Sequence, residues 1–311
     1  MLVVLAFVAV ALLLAPGIAA RFGRRVHPAD WTRWSIGSLI AGAVALESAL
    51  VLFALPTVLR ALGAHALVAA CSRMTGSLMP GGPIVGWSTA ATSVLVPASF
   101  VVGMVRAQRA NGSLARCVAG VATVSVAGHR VAFVPLESAV ALTVGGSSPS
   151  IVLSSGMRDA LSDEELGAVV RHEAAHVAHR HDLYLGVLNG LEHALVLVPR
   201  LRRSTDTVRC GIERWADEDA AGSSLEGRRL VRAALLRAVF IEVPVGVAAF
   251  GAVATIMERA AALSVPLNVS RTRRRLMIIA MSSVMIIAAS TTAAGGAQLW
   301  RVLVMPAFCT R

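Results

Sequence analysis

The sequence predicts a mostly α-helical integral membrane protein carrying one soluble α+β domain. Three observations lead there. First, 56% of the 311 residues are apolar and 15% are charged, where an ordinary soluble domain has about 25% charged residues. With a mean hydropathy of +0.71, that surplus cannot be hidden inside one globule of this size. Second, the apolar residues gather into runs long enough to cross a bilayer. Third, residues 107–275 break that pattern and read first as strands, then as helices. Such a composition excludes a disordered tail protein, a disulfide scaffold and a fibre.

The first apolar run is Met1–Ala20, broken only by Pro16 and Gly17. A signal peptide needs a basic segment ahead of its apolar core, and none precedes Leu2, so the run reads as a span. The second is Ile36–Leu59, with a lone acid at Glu47. The third is Ile84–Val105, after the turn-rich stretch Met79–Pro83. The fourth is Leu276–Ala294, ahead of Gly295 and Gly296. Each has about 19–24 residues, enough to cross about 30 Å of hydrocarbon at 1.5 Å per residue. Glu47 reads either as a functional intramembrane acid or as a carboxyl facing a neighbouring helix or water.

Four transmembrane helices divide the chain into a membrane region at 1–106, a soluble domain at 107–275, the last span at 276–294 and a short tail at 295–311. Arg21, Arg24, Arg25 and Arg33 lie between spans one and two. Arg106, Arg109 and Arg116 follow span three, and Arg271 and Arg273–Arg275 precede span four. By the positive-inside rule the N-terminus and the tail are outside and residues 107–275 are cytoplasmic.

Net charge is +11, and all 29 basic residues are arginine, a bias that points to a GC-rich genome. Their clustering at span ends is accounted for by anionic lipid, so no direct nucleic-acid contact is expected. The cysteines Cys71, Cys117, Cys210 and Cys309 lack CxxC spacing. They read as small apolar residues or free thiols.

Within the soluble domain, Val118–Val126 and Val131–Val134 flank Gly128 and read as a hairpin. Ala139–Val144 and Ile151–Leu153 read as further strands. Ile151–Leu153 is either an edge strand that pairs with an extended peptide substrate or an internal one. Ser162 followed by Glu165 forms a capping box that opens a helix through about His181. Further helices are expected over Leu183–Val198, Glu213–Ala221 and Gly227–Glu258, the last broken at Pro244. Leu183–Val198 is short for a span, holds Asn189, Glu192 and His193, and is flanked by arginine, so it reads as a core or interfacial helix.

The chemistry sits on the capped helix. His172-Glu173-Ala174-Ala175-His176 is an HExxH sequence. On a helix, positions i and i+4 share a face, so both imidazoles can reach one ion. Zinc suits two imidazoles and a carboxylate. Glu173 then sits beside the open coordination position, where it can take a proton from a water of lowered pKa and pass it to a leaving amine. Candidates for the third ligand are His179, His181, Asp182 and Glu213. His179 lies a turn away from the ion. Asp182 falls roughly 80° off the ligand face at 100° per residue. Glu213 opens Glu213-Arg214-Trp215-Ala216-Asp217, an ExxAD element in which Glu213 can ligate. Asp217, one turn on, can accept the distal N–H of a ligand histidine. The plain alternative is a solvated acidic face continued by Glu218 and Asp219.

HExxH with ExxAD behind an N-terminal membrane region resembles the gluzincin membrane peptidases. Two branches compete. Three spans ahead of the motif, the stretches Ser154–Met157 and Leu161–Leu166, and the His-rich segment to His181 resemble the BlaR/MecR-type receptor peptidases more than the HtpX-like branch. The resemblance implies a cytoplasmic zincin-like metallopeptidase domain in a bacterial cell membrane. It makes His172, His176 and Glu213 ligands of one zinc ion and Glu173 the catalytic base. It also implies a protein or peptide substrate, such as a cytosolic transcriptional repressor or the chain itself, with membrane lipid and a second copy of the chain as further partners. The chain departs from the antibiotic receptors in having no extracellular penicillin-binding domain, which leaves the trigger open. The competing readings are an HtpX-like protease for membrane-protein quality control and a non-catalytic receptor or scaffold.

Overall fold

The structure is a computed structural model. It describes residues 2–65, 68, 82–145, 150–242 and 247–265, with separate positions between 272 and 297. The apolar N-terminal third forms α1 (Leu2–Ile18), the single turn α2 (Ala20–Gly23), α3 (Pro28–Ala61) and α4 (Gly82–Val118). Among the described residues, α3 and α4 are long and apolar enough to cross a membrane, and α1 is apolar but shorter. Two such helices therefore stand where four were expected. Most of the run at 276–294 and of the tail at 295–311 lies outside the described residues.

Both long helices exceed the runs that announced them. α3 starts eight residues before Ile36 because Pro28 occupies its first turn and His27 Nδ1 accepts the Ala29 N–H at 3.3 Å, a start that suits proline's fixed φ. α4 runs on to Val118, through the boundary expected at 106. The chain leaves the helix only at Gly120, whose φ of +90° few other residues adopt cheaply.

The sheet contains β1 (Thr123–Val126), β2 (His129–Val134), β3 (Ala141–Val144) and β4 (Ser150–Ser154), in the order β1-β2-β4-β3. β1 and β2 form the expected hairpin across Ala127 and Gly128, both at positive φ, as a tight two-residue turn requires. β4 pairs parallel with β2 and antiparallel with β3. This decides the reading of Ile151, Val152 and Leu153 against a substrate-binding edge. Their strand is internal, with a neighbour bonded on each side, and residues 151–154 are all buried. The run of apolar residues reflects two covered faces. The edge strand on that side is β3.

Six helices follow: α5 (Ser155–Ala160), α6 (Asp163–Ala178), α7 (His181–Ala194), α8 (Pro199–Ala221), α9 (Leu225–Glu242) and α10 (Val247–Leu263). The capping box at the head of α6 is present in both directions between Ser162 and Glu165. α8 begins 14 residues ahead of Glu213, where the expected helix started, again on a first-turn proline, Pro199. Leu188, Leu191 and Leu195 after α7's first turns pack with Leu201, Val208 and Ile212 of α8 against Leu13, Ile36 and Leu39. The apolar N-terminal helices and the helices that follow the sheet thus share one core.

α7 crosses α4 at very short range. A Cβ on Gly103 would stand 2.8 Å from His193 Cβ and 2.9 Å from the Asn189 carbonyl oxygen. Gly112, on the same helix, meets nothing closer than the Arg116 guanidinium at 3.7 Å. Gly103→Val is therefore expected to destabilise the fold by about 1–3 kcal/mol. Gly112→Ala is expected to be neutral or stabilising by up to about 1 kcal/mol. Thermal unfolding of the detergent-solubilised chain measures both, and equal midpoints for the two variants would contradict the close crossing.

Candidate metal centre

α6 presents His172 and His176 on the face that meets α8, and α8 brings Glu213 to them. Their ligating atoms lie within 4.8 Å of one another. His172 Nε2 is 3.2 Å from His176 Nε2 and 3.5 Å from Glu213 Oε2, and His176 Nε2 is 3.7 Å from Glu213 Oε1. Donor atoms about 2.1 Å from one ion at tetrahedral angles stand about 3.4 Å apart. The triangle therefore has the size of one face of a zinc tetrahedron. Asp217 Oδ1 lies 3.0 Å from His172 Nδ1, the ring nitrogen turned away from the triangle. The other candidates are placed elsewhere. His179 pairs with Asp219 and stacks on Trp215 at 4.4 Å. Asp182 lines the same cavity as the triangle but is not among the three residues whose donor atoms converge.

His181 has moved from possible ligand to supporting group. α6 ends at His179, and Arg180 takes a left-handed φ of 51°. That turn starts α7 and folds His181 back, with its Nδ1 2.9 Å from His176 Nδ1. His181 is fully buried, and its Nε2 has no hydrogen-bond partner among the described residues. Burial, and then the neighbouring histidines, push its pKa down to about 3. The neutral ring can accept the Nδ1–H of His176, which leaves His176 Nε2 as a lone-pair donor toward the triangle.

Two further residues escaped sequence reading. Arg259 of α10 reaches Asp217 with two nitrogens, at 2.8 and 2.7 Å, and Glu213 Oε2 with a third at 3.0 Å. No local motif marks it, since 42 residues separate it from Asp217. Thr143 of β3 lies 2.8 Å from Glu173 Oε2 and 2.9 Å from the Glu173 carbonyl oxygen. Its hydroxyl can hold the carboxylate in one orientation. Glu173 itself is 7% exposed and lines a cavity of about 300 Å³ together with the triangle, Thr143, Asn111 and Arg180.

The electrostatics are dominated by carboxylates. Burial alone would lower His172, but the hydrogen bonds and charges of Asp217 and Glu213 outweigh it and lift the ring to about 10. Burial likewise opposes ionisation of Glu213, yet His172 and Arg259 hold it down to about 2. Asp217 is lowered still further despite its burial, chiefly by Arg259. Against the carboxylates of Glu173, Glu213 and Asp217 stand the Arg259 guanidinium and, until an ion displaces its proton, the His172 ring. A divalent cation restores neutrality and accepts the three converging donors, so these residues fit zinc in number, type and charge.

No curated protein and no solved structure matches the chain. A family model described as Peptidase family M48 matches residues 109–207, less than half of the chain. The matched segment contains the HExxH helix and stops short of Glu213 and Asp217. Over the segment that bears His172, Glu173 and His176, the chain is similar to the M48 metallopeptidases.

Proposed function

We propose that the protein is a membrane-anchored zinc endopeptidase with a cytoplasmic active site, working in signalling proteolysis of a cytosolic repressor or of itself. The observation that carries this reading is the tetrahedron-sized triangle of His172, His176 and Glu213 beside the buried Glu173 carboxylate. The family match over 109–207 supports peptidase chemistry. α3 and α4 support the membrane anchor, and the arginine distribution supports the cytoplasmic side.

When bound at these donors, zinc supplies a water with a pKa near ~7 and a Lewis acid for the scissile carbonyl. The chain's own residues do the rest. Thr143 engages Glu173 Oε2, which leaves Oε1 to accept a proton and return it to the departing amine nitrogen. Asp217 and His181 fix the tautomers of the two histidines from behind. β3 is the edge strand beside the cavity, with Ala141, Thr143 and Gly145 in the wall. An extended peptide adding to β3 would pass over Glu173, which moves the substrate-pairing role from Ile151–Leu153 to β3.

Three outcomes follow from these assignments. Glu173→Gln keeps its metal and loses about 10²–10⁴-fold in peptide cleavage; undiminished cleavage by this variant would sink the enzyme reading. Glu213→Gln loses zinc by elemental analysis of the purified chain, and full retention would move the third ligand elsewhere. The third concerns protons. Only a neutral His172 ring can ligate, and in the metal-free site that ring is protonated up to about pH 10. Zinc binding should then release about one proton at neutral pH, and apparent affinity should climb up to about tenfold per pH unit. Calorimetry in buffers of different ionisation enthalpy reads the proton count, and zero release contradicts the His172–Asp217 coupling.

A further inference from the structure

α8 has a second charged face. Arg203, Thr207, Cys210 and Arg214 recur along one stripe and wall a cavity of about 370 Å³ against Arg24 of the α1–α3 connection and Trp31 near the start of α3. Arg214 is 8% exposed, yet it has no hydrogen bond and no ion pair among the described residues. The contrast is Arg228, 6% exposed, whose guanidinium is held by Glu218 and by the carbonyls of Ala262, Leu263 and Val265. Most of the Arg214 side chain is covered, but its unpartnered nitrogens are not fully enclosed. The residue lines the cavity, so an anion there can meet a positive charge that no protein group has neutralised.

The wall sets the charge of that partner. Of its two acids, Glu258 is engaged by Arg24 at 2.9 Å. Arg203 and Arg214 then face the single carboxylate of Asp206, an excess of one positive charge. That balance suits a monoanion such as a phosphodiester better than a phosphate dianion. Position narrows the source. The cavity lies where the apolar α1 has ended and α3 begins, and a tryptophan forms part of its wall, as is common at headgroup level. The linker into α8 exposes Val196 by 74% and Leu197 by 91%, immediately ahead of Arg200, Arg202 and Arg203. An apolar tip followed by arginines is what a segment resting on a bilayer surface presents.

We propose that this cavity binds the phosphate of an anionic phospholipid headgroup, with Arg214 as its buried anchor and Arg203 at its mouth. The site does not depend on the peptidase reading, because none of its residues is a proposed metal ligand or proton carrier.

Native mass spectrometry of the full chain in detergent tests it, with phosphatidylglycerol, phosphatidylcholine or inorganic phosphate added. Wild type should retain phosphatidylglycerol in preference to phosphatidylcholine, whose choline offsets the phosphate charge. Arg214→Gln should weaken that binding by about tenfold or more, the loss of a charge-assisted contact. Arg203→Gln, at an exposed position, should weaken it less. Equal phosphatidylglycerol retention by wild type and Arg214→Gln overturns the proposal. Inorganic phosphate competing as well as the lipid overturns the headgroup assignment in favour of a soluble anion. If Arg214→Gln does not fold, Arg203→Gln decides, and unchanged binding there overturns the proposal as well.

Discussion

Three carboxylates, Glu173, Glu213 and Asp217, are crowded against two imidazoles in a space largely closed to water, and that much negative charge stands only if cations balance it. Much of the architecture around the site can be read as the means of bringing those cations in. Arg259 is the permanent one, and it arrives from α10, with α9 between it and the helix that carries Glu213. Its guanidinium fork bonds Asp217 twice and Glu213 once, which orients both carboxylates before any ion binds. Once the His172 ring has given up its proton, the remaining deficit of two charges matches a divalent ion.

The helices that meet at the site are held by a core that continues into the apolar N-terminal helices. Leu13, Ile36 and Leu39 belong to the apolar N-terminal helices, while Leu201, Val208 and Ile212 belong to the helix that carries Glu213. Gly17 N–H donates to Ser204 Oγ at 3.2 Å along the same seam. A displacement of α1 or α3 is therefore transmitted to α8 by direct packing rather than through a linker. This matters for the proposed role in signalling, where a membrane event must alter a cytoplasmic site. The structure supplies the contact, and a second arrangement of it is the further requirement for a switch.

What the sequence disclosed was what short-range physics dictates. The HExxH face, the Ser162–Glu165 capping box and the hairpin at Gly128 each depend on residues within about one or two turns of each other, and each was readable. The ExxAD element was readable as a candidate because Glu213 and Asp217 share a helical face. The long-range partners were not. Thr143 stands 30 residues from Glu173, and nothing about a threonine in a β-branched run marks it as a carboxylate's partner. Arg259 was one arginine among 29. The role of Ile151–Leu153 was undecidable for a related reason: an apolar run says that both faces are covered, but strand order is set by connections outside it. Helix starts slipped because the apolar run at Ile36 and the ExxAD element at Glu213 both begin well after the first-turn prolines Pro28 and Pro199.

The two histidines of the motif end up in different electrical surroundings, and that difference follows from the turn after α6. Had the helix continued straight, His181 would have pointed away. With Arg180 in the left-handed region, α7 starts at once and His181 comes to rest behind His176. His172 is backed by a carboxylate and made strongly basic, whereas His176 is backed by a neutral imidazole and is lowered by burial and by its neighbour His172. A carboxylate behind a ligand histidine raises the charge it donates, and a neutral ring does so far less. Arg259 draws in the same direction by sharing the charge of Asp217 and Glu213. The donor set is thus weaker than two carboxylate-backed histidines with an unshared glutamate would be. In the proposed peptidase, an ion held by it would keep more of its own charge for polarising a peptide carbonyl.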